Sequence, residues 1–248
     1  DDVIDLLKVD VTLSANILRF ASGSFYGNGA PANGLEAAIQ RIGFREVNRL
    51  VSLTASKSVL DKPLTTYNIK EGELIEDSLA TAQLMHALGS QIDRDLADTF
   101  YTTGLLHAIG KIVINQYLKN RGMSLYGGND MTTETTQDIS TEFERKILGF
   151  DHAEAGAALI QSWSFSTNMV DAIRNQYSPE TATGEIQLTA CLSFSNKIGP
   201  IFRMTESSPV CKITEEICTL IGLSAEQIQG CMDVAFVEYQ TAQEILNN

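Results

Sequence analysis

"GLLHAIGKIVIN", Gly104 to Asn115, is the stretch on which the fold turns. Its second half, "KIVIN", is the only short β-branched run in the chain, and alone it would pass for a strand. What precedes it denies that reading. Leu96, Phe100, Leu105, Leu106 and Ile109 follow helical spacing from an opening at Asp93 or Asp95. With the run flanked by helical patterns, strand signals are almost absent and the chain reads as all-α.

The same spacing extends in both directions. Upstream, Glu71 to about Gly89 carries Leu74, Ile75, Leu79, Ala82, Leu84, Met85 and Leu88, an amphipathic helix of about five turns. Phe44 to Leu60 turns Val47, Leu50, Val51 and Thr54 inward before "DKPL" closes it, and a short helix from Leu35 ends at Gly43. Asp10 caps a first helix through Leu13, Ile17, Leu18 and Phe20, which the glycine-rich "SGSFYGNGAPANG" breaks. Downstream, the polar Tyr126–Asp138 stretch reads as a loop. Helices follow over Thr141–Leu148, Asp151–Trp163, Ser166–Gln176 and Gly184–Phe202, with Asp151 and Ser166 as N-caps. Ser224 with Gln227 three positions on is a capping-box pattern for a long final helix. The expectation is an irregular multi-helix bundle of ten or more helices, with no internal repeat and no low-complexity tract.

The totals narrow the function. A chain of 248 residues, 44% apolar and 20% charged, can bury a substantial core. Its net charge of −13 argues against a nucleic-acid binder, since phosphate recognition needs a cationic surface. No run approaches the roughly 20 apolar residues of a membrane span, and "DDVIDLLKVD" lacks the basic start of a signal peptide. No membrane association and a cytoplasmic location are expected. The four cysteines, Cys191, Cys211, Cys218 and Cys231, form no CxxC pair and read as reduced thiols on helices. There is no GxxxxGK[ST] phosphate loop, GxGxxG or GxSxG, and "YGGNDM" lacks the acidic residue and Glu-Phe of a GGDEF motif.

Several segments, taken in order, resemble the HDOD domain, the HD-related output domain of bacterial signalling proteins. They are "DVTLSANILRFASGSFYG", "LEAAIQRIG", "EDSLATAQLMHALG", "TTGLLHAIGKIVIN", "DHAEAGAALIQSW" and "AIRNQYSPE". The resemblance runs from about Asp1 to Gly199 and starts inside or just after the family's first helices, so the upstream part is either trimmed or different, and whether a further domain precedes Asp1 is left open. It implies an HD-superfamily-like core with an N-terminal helical subdomain. The expected division is an HDOD-like domain over 1–200, made of a subdomain over 1–65 and a core over 66–200. A C-terminal helical extension over 201–248 would pack on that core.

The resemblance also sets a chemical standard. Catalytic HD proteins are metal-dependent phosphohydrolases, whose divalent cation needs several histidine and carboxylate ligands. Their namesake His and Asp are consecutive on a helix, about 100° apart, and converge on the ion. Here His107 is followed by Ala108 where the aspartate would stand, and Asp77 occupies the place of the first histidine. Gln176 and Tyr177 fall where a histidine pair is common, Asn196 falls near the last aspartate, and His152 is retained. Asp77, His107, His152 and Gln176 would supply a single carboxylate charge, a poor set for Mg²⁺ or Mn²⁺.

His107 therefore reads as a buried neutral imidazole bonded to a neighbour, His152 as a surface or capping-region histidine, and His86 as structural or surface. Phe25, Tyr26 and Lys111 are the candidates for contact with a ligand or partner, although Lys111 reads first as a charge capping the preceding helix. No cofactor is expected. The function implied is a non-catalytic regulatory, signal-transducing module acting through an unidentified signalling protein, or through sensing of a small ligand or nucleotide. The alternative is a diverged phosphohydrolase using Asp77, His107 and His152 with a carboxylate from Asp151 or Glu154. The oligomeric state is left open.

Overall fold

The computed structural model describes residues 11–22, 32–123, 125 and 137–246, and every element among them is helical apart from one isolated bridge between Leu64 and Ile69. In chain order the α-helices are α1 (Val11–Ser22), α2 (Leu35–Ile42), α3 (Phe44–Leu60), α4 (Glu73–Ile92), α5 (Ala97–Leu106) and α6 (Ile109–Lys119). They continue as α7 (Gln137–Leu148), α8 (His152–Ser162), α9 (Thr167–Arg174), α10 (Ile186–Phe202), α11 (Glu215–Ile221) and α12 (Ala225–Leu246). Single 3-10 turns lie at Thr65–Tyr67 and Pro179–Thr181.

The centre of the molecule is α4. Its 20 residues span about 30 Å, and α5, α10 and α12 all pack along it. That surrounds the helix: Leu79, Ala82, Leu84, Met85 and Leu88 have no exposed surface, and Ser78, Thr81 and Gln83 on its other faces are buried too. A helix apolar along one stripe is thus buried on nearly all sides, its remaining faces supplied by small and hydroxyl side chains.

Two clusters of buried apolar residues divide the structure. A small one joins Ile17, Phe20 and Ala21 of α1 to Ala38 and Ile39 of α2 and Val47 and Leu50 of α3. The large one takes Leu53 and Leu60 of α3, α4 to α6, and the faces of α8 to α12. The final helix is part of that core, with Ile228, Met232, Ala235, Phe236, Tyr239 and Ala242 inside it. Phe202 meets both Phe236 and Tyr239 at ring separations of 5.4 and 6.0 Å. Arg49 ties the clusters together: from α3 it bonds Glu46 at 2.9 Å, Gln83 of α4 and Glu238 of α12 at 3.1 Å. Its guanidinium also lies 4.8 Å from the Tyr101 ring centre.

Most expected helix starts are present. Asp151 and Glu154 form a reciprocal capping box, Ser166 accepts from the Met169 amide, and Ser224 and Gln227 cap each other. Four expectations need correction. Neither Asp93 nor Asp95 caps α5, which begins after Leu96; Asp93 instead accepts from the Asp95 amide. The helix expected to run on to Ile109 ends at Leu106, and "KIVIN" opens a separate helix, α6. α7 starts at Gln137, inside the segment taken for a loop. Cys211 lies outside the helices; it and the other three cysteines are free thiols. Asp10 and the residues at 126–136 lie outside the described residues.

Glycine allows the approach that sets the site. A Cβ on Gly110 would collide with the carbonyl oxygen of His152 and come 2.6 Å from the Gly156 amide, so α6 and α8 touch backbone to backbone. Gly104 plays the same part between α5 and α4, where a Cβ would lie 2.8 Å from Ala82 Cα. Gly110→Ala is therefore expected to destabilise the protein by about 1 to 3 kcal/mol through overpacking. Gly230→Ala, in α12 with nothing nearby, should stabilise it by about 0.5 to 1 kcal/mol. Urea denaturation of the two variants beside the parent measures both.

Candidate functional site

The break between α5 and α6 places His107 one residue beyond α5, with 4% of its surface exposed. A helix ending inside the protein presents carbonyls that water cannot reach. His107 answers one of them: its Nδ1 donates to the Gly104 carbonyl at 2.7 Å, a side-chain cap on its own helix end. Gln176, just past α9, extends the arrangement. Its Nε2 donates to the carbonyls of His107 (3.1 Å) and Ile173 (3.0 Å), and its Oε1 accepts from Asn196 Nδ2 of α10 at 3.0 Å. The Asn196 amide also engages the His107 ring. Burial pushes the imidazole down to about 3, so it is neutral at physiological pH.

His152 is the first residue of α8 and is wholly buried, not at the surface as its position after a capping aspartate suggested. It meets a group that the sequence reading missed. Glu144 of α7, itself without exposed surface, accepts from the His152 backbone amide at 2.7 Å and from the ring Nδ1 at 2.8 Å. The Tyr67 hydroxyl donates to the same carboxylate at 2.7 Å. Burial alone would raise this carboxyl, yet the bonds from His152 and Tyr67 hold it below the usual range. Its place at the N-terminus of α8 adds to that, since a helix start favours an anion. On the other side of the ring, Nε2 meets the Tyr177 hydroxyl at 2.7 Å. Burial lowers the His152 pKa despite the carboxylate.

The sequence-derived positions thus fall into two networks, brought side by side by the consecutive residues Gln176 and Tyr177, and an outlier. His107, Gln176 and Asn196 form one, with Ala108 buried beside them; His152 and Tyr177 form the other with Glu144 and Tyr67. Asp77 belongs to neither. Its carboxylate pairs with Arg203 at 3.1 Å, an arginine that also holds Glu73 at 3.1 Å. Burial raises the Asp77 pKa, with Arg203 and Lys111 opposing.

Lys111 is half-buried in the first turn of α6 and does not sit in the last turn of the preceding helix, so the capping role expected for it is corrected. Its ammonium interacts with Glu144 and Asp77 and depresses both His107 and His152. Burial pulls its own pKa down. His86 is half-buried over Tyr101, and burial with the nearby Arg49 brings it to about 3. Phe25 and Tyr26 lie outside the described residues.

The residues present do not fit a divalent metal. Among the described residues, no three His, Cys, Asp or Glu side chains come together as an ion would need. The carboxylates suggested as replacements are committed elsewhere: Asp151 caps the Glu154 amide and takes Arg145 at 2.8 Å, and Glu154 returns to the Asp151 amide. Glu144 left no local mark in the sequence, as one acidic residue in the polar helix "QDISTEFERKIL".

Comparisons agree with this architecture. A crystal structure of an HDOD domain protein of unknown function from Geobacter sulfurreducens superposes with a TM-score of 0.69 at 20% identity, over 98% of this chain and 84% of that one. A candidate phosphohydrolase from Shewanella amazonensis gives 0.63 at 21% identity, over 96% and 86%. A candidate signal transduction protein from Marinobacter aquaeolei gives 0.66 at 21% identity, over 98% of this chain and 53% of that one. An uncharacterized protein of Treponema pallidum (strain Nichols) is 22% identical over 228 residues, 91% of this chain but 42% of that protein. The chain therefore spans less than half of the curated relative it matches. No helix among the described residues is long and apolar enough to cross a membrane. The HDOD domain model matches residues 1–179, and with that span, the all-helical fold and the ordered motifs the chain belongs to the HDOD family, which is related to the HD phosphohydrolases.

Proposed function

We propose that this HDOD chain is a non-catalytic regulatory module of signal transduction, working by contact with another protein or by sensing a small ligand. One observation carries the reading: the polar groups at the metal-site positions are already bonded to other protein groups. A histidine ligates through an unshared nitrogen pair. His152 has both ring nitrogens engaged, by Glu144 and Tyr177, and the His107 ring is held by the Gly104 carbonyl and Asn196. Gln176 and Asn196 are neutral amides, weak ligands for a hard cation.

The second reading, a diverged metal-dependent phosphohydrolase, has a specific observation in its favour. Both histidines have Nδ1 tied to an oxygen, the way a metal-ligating imidazole is usually oriented from behind. The difference lies at the front of each ring, where this chain offers a hydroxyl or an amide.

Elemental analysis of protein purified without chelator, with hydrolysis assays on phosphodiesters and phosphomonoesters in Mn²⁺, separates the readings. The expected outcome is no stoichiometric metal, no metal-dependent turnover, and a melting temperature unmoved by Mn²⁺. A site occupied at 100 times its Kd would instead stabilise the fold by about 2.7 kcal/mol. Metal-dependent turnover that disappears in His107→Gln would overturn the proposal.

Neutral imidazoles also impose a pH dependence. His107 and His86 titrate near 3 in the folded protein, well below an unfolded histidine. The unfolded chain then binds more protons as pH falls, so stability drops from about pH 6.5 down to about pH 3 and is full above that window. Each such histidine contributes a slope of about 1.4 kcal/mol per pH unit. Urea denaturation between pH 7 and pH 5 is expected to show this decline, and His107→Gln should flatten it by one histidine's share. An unchanged slope in that variant would mean that the ring titrates alike in the folded and unfolded chain.

A further inference from the structure

At Tyr177 the network around His152 borders a cleft. It lies between α10, α11 and the Pro179 turn and has a volume of about 420 Å³, within the range of small-molecule sites. Its floor is apolar, built from Ala190, Phe194, Ile217, Leu220 and Ile221. Polar side chains line it as well. The Ser193 hydroxyl belongs to a residue only 7% exposed and has no protein hydrogen-bond partner among the described residues. Lys197, one turn further along α10, is exposed and forms no ion pair among them. Glu180 and Glu216 stand on the rim as exposed carboxylates, and Tyr177, whose hydroxyl bonds His152, forms part of the wall.

The Ser193 hydroxyl, reachable from the cleft and without a protein partner among the described residues, is free to bond a ligand, and a cleft of this size can hold one. The charges restrict what enters. A phosphorylated ligand would bring two negative charges against one lysine and two glutamates, in a chain of net charge −13. A purely cationic ligand would leave Lys197 opposed. One molecule answers all three groups: a carboxylate for Lys197, an ammonium for Glu180 and Glu216, and an apolar body for the floor.

We infer that this cleft binds a small zwitterion with an apolar side chain, of the class of a free apolar amino acid. Binding there presses on Tyr177 and so reaches the His152–Glu144 pair through a single hydrogen bond. The inference goes beyond the regulatory reading and does not depend on it, because the cleft would bind in the same way beside a catalytic centre.

The test is an NMR titration of the ¹⁵N-labelled chain with L-phenylalanine, and in parallel with phenylacetate and phenethylamine, each of which lacks one of its charges. Saturable shifts at Ser193, Phe194 and Leu220 with L-phenylalanine are expected, with a Kd of about 1 mM or tighter. Both analogues should bind at least about tenfold more weakly. Lys197→Ala should weaken L-phenylalanine about tenfold, and Leu220→Trp, which fills the cleft, should remove the shifts. Should the tryptophan variant fail to fold, the exposed Lys197→Ala change still decides. No saturable shift with any probe overturns the inference. So does phenylacetate binding as tightly as the amino acid, or affinity indifferent to Lys197→Ala.

Discussion

A helix that ends inside a bundle leaves amides and carbonyls that water cannot reach, and this constraint organises the centre of the molecule. α5 and α9 both end there and α8 begins there. His107 takes a carbonyl of α5, Gln176 takes one from each of two helix ends, and Glu144 takes the first amide of α8. Each of these groups does in the bundle what solvent does at an exposed helix end. Truncating any of them leaves a buried polar atom unpaired, at about 1 to 3 kcal/mol apiece. A histidine, a glutamine and an asparagine at these positions therefore have a structural reason to be polar that involves no catalysis.

The same constraint explains why the helices must approach so closely. Hydrogen bonds from side chains as short as Gln176 and Asn196 span α5, α9 and α10 only if the backbones nearly touch. Gly110 against His152 and Gly104 against Ala82 remove the atoms that would hold α6 from α8 and α5 from α4. α4 in turn is gripped along its length by α5, α10 and α12, so a shift of one crossing is felt at the others. Arg49 connects this arrangement to the N-terminal helices through Gln83 and Glu238, and its guanidinium over Tyr101 is part of the same packing.

How much of this the sequence disclosed follows from the range of each interaction. The all-α class and helices such as Phe44–Leu60 were legible because apolar spacing is local and repeats over several turns. The caps at Asp151, Ser166 and Ser224 were legible because a cap acts within three residues. The burial of His152 was not, because the same aspartate that caps α8 also marks a surface turn, and only a partner on another helix decides between the two. That partner, Glu144, is an acidic residue in a polar helix, and nothing local separates it from a solvated glutamate. The break after Leu106 escaped notice for a related reason: α5 ends on His107 folding back to Gly104, with no glycine C-cap or proline to signal it.

The electrostatics set a further condition on what the pocket can accept. Glu144 is a buried anion, and such a charge persists only when hydrogen-bonded and balanced. His152 and Tyr67 supply the hydrogen bonds, but both are neutral, so the balancing charge is the ammonium of Lys111. That same ammonium lowers the pKa of both histidines and faces Asp77, which Arg203 already pairs. A divalent cation would therefore have to displace the Tyr177 hydroxyl from His152, find no carboxylate free of a partner, and settle beside a resident positive charge. On the regulatory reading, then, the pocket disfavours metal through its own counter-ion as well as through its lost ligands, and restoring an aspartate at Ala108 alone would leave that repulsion in place.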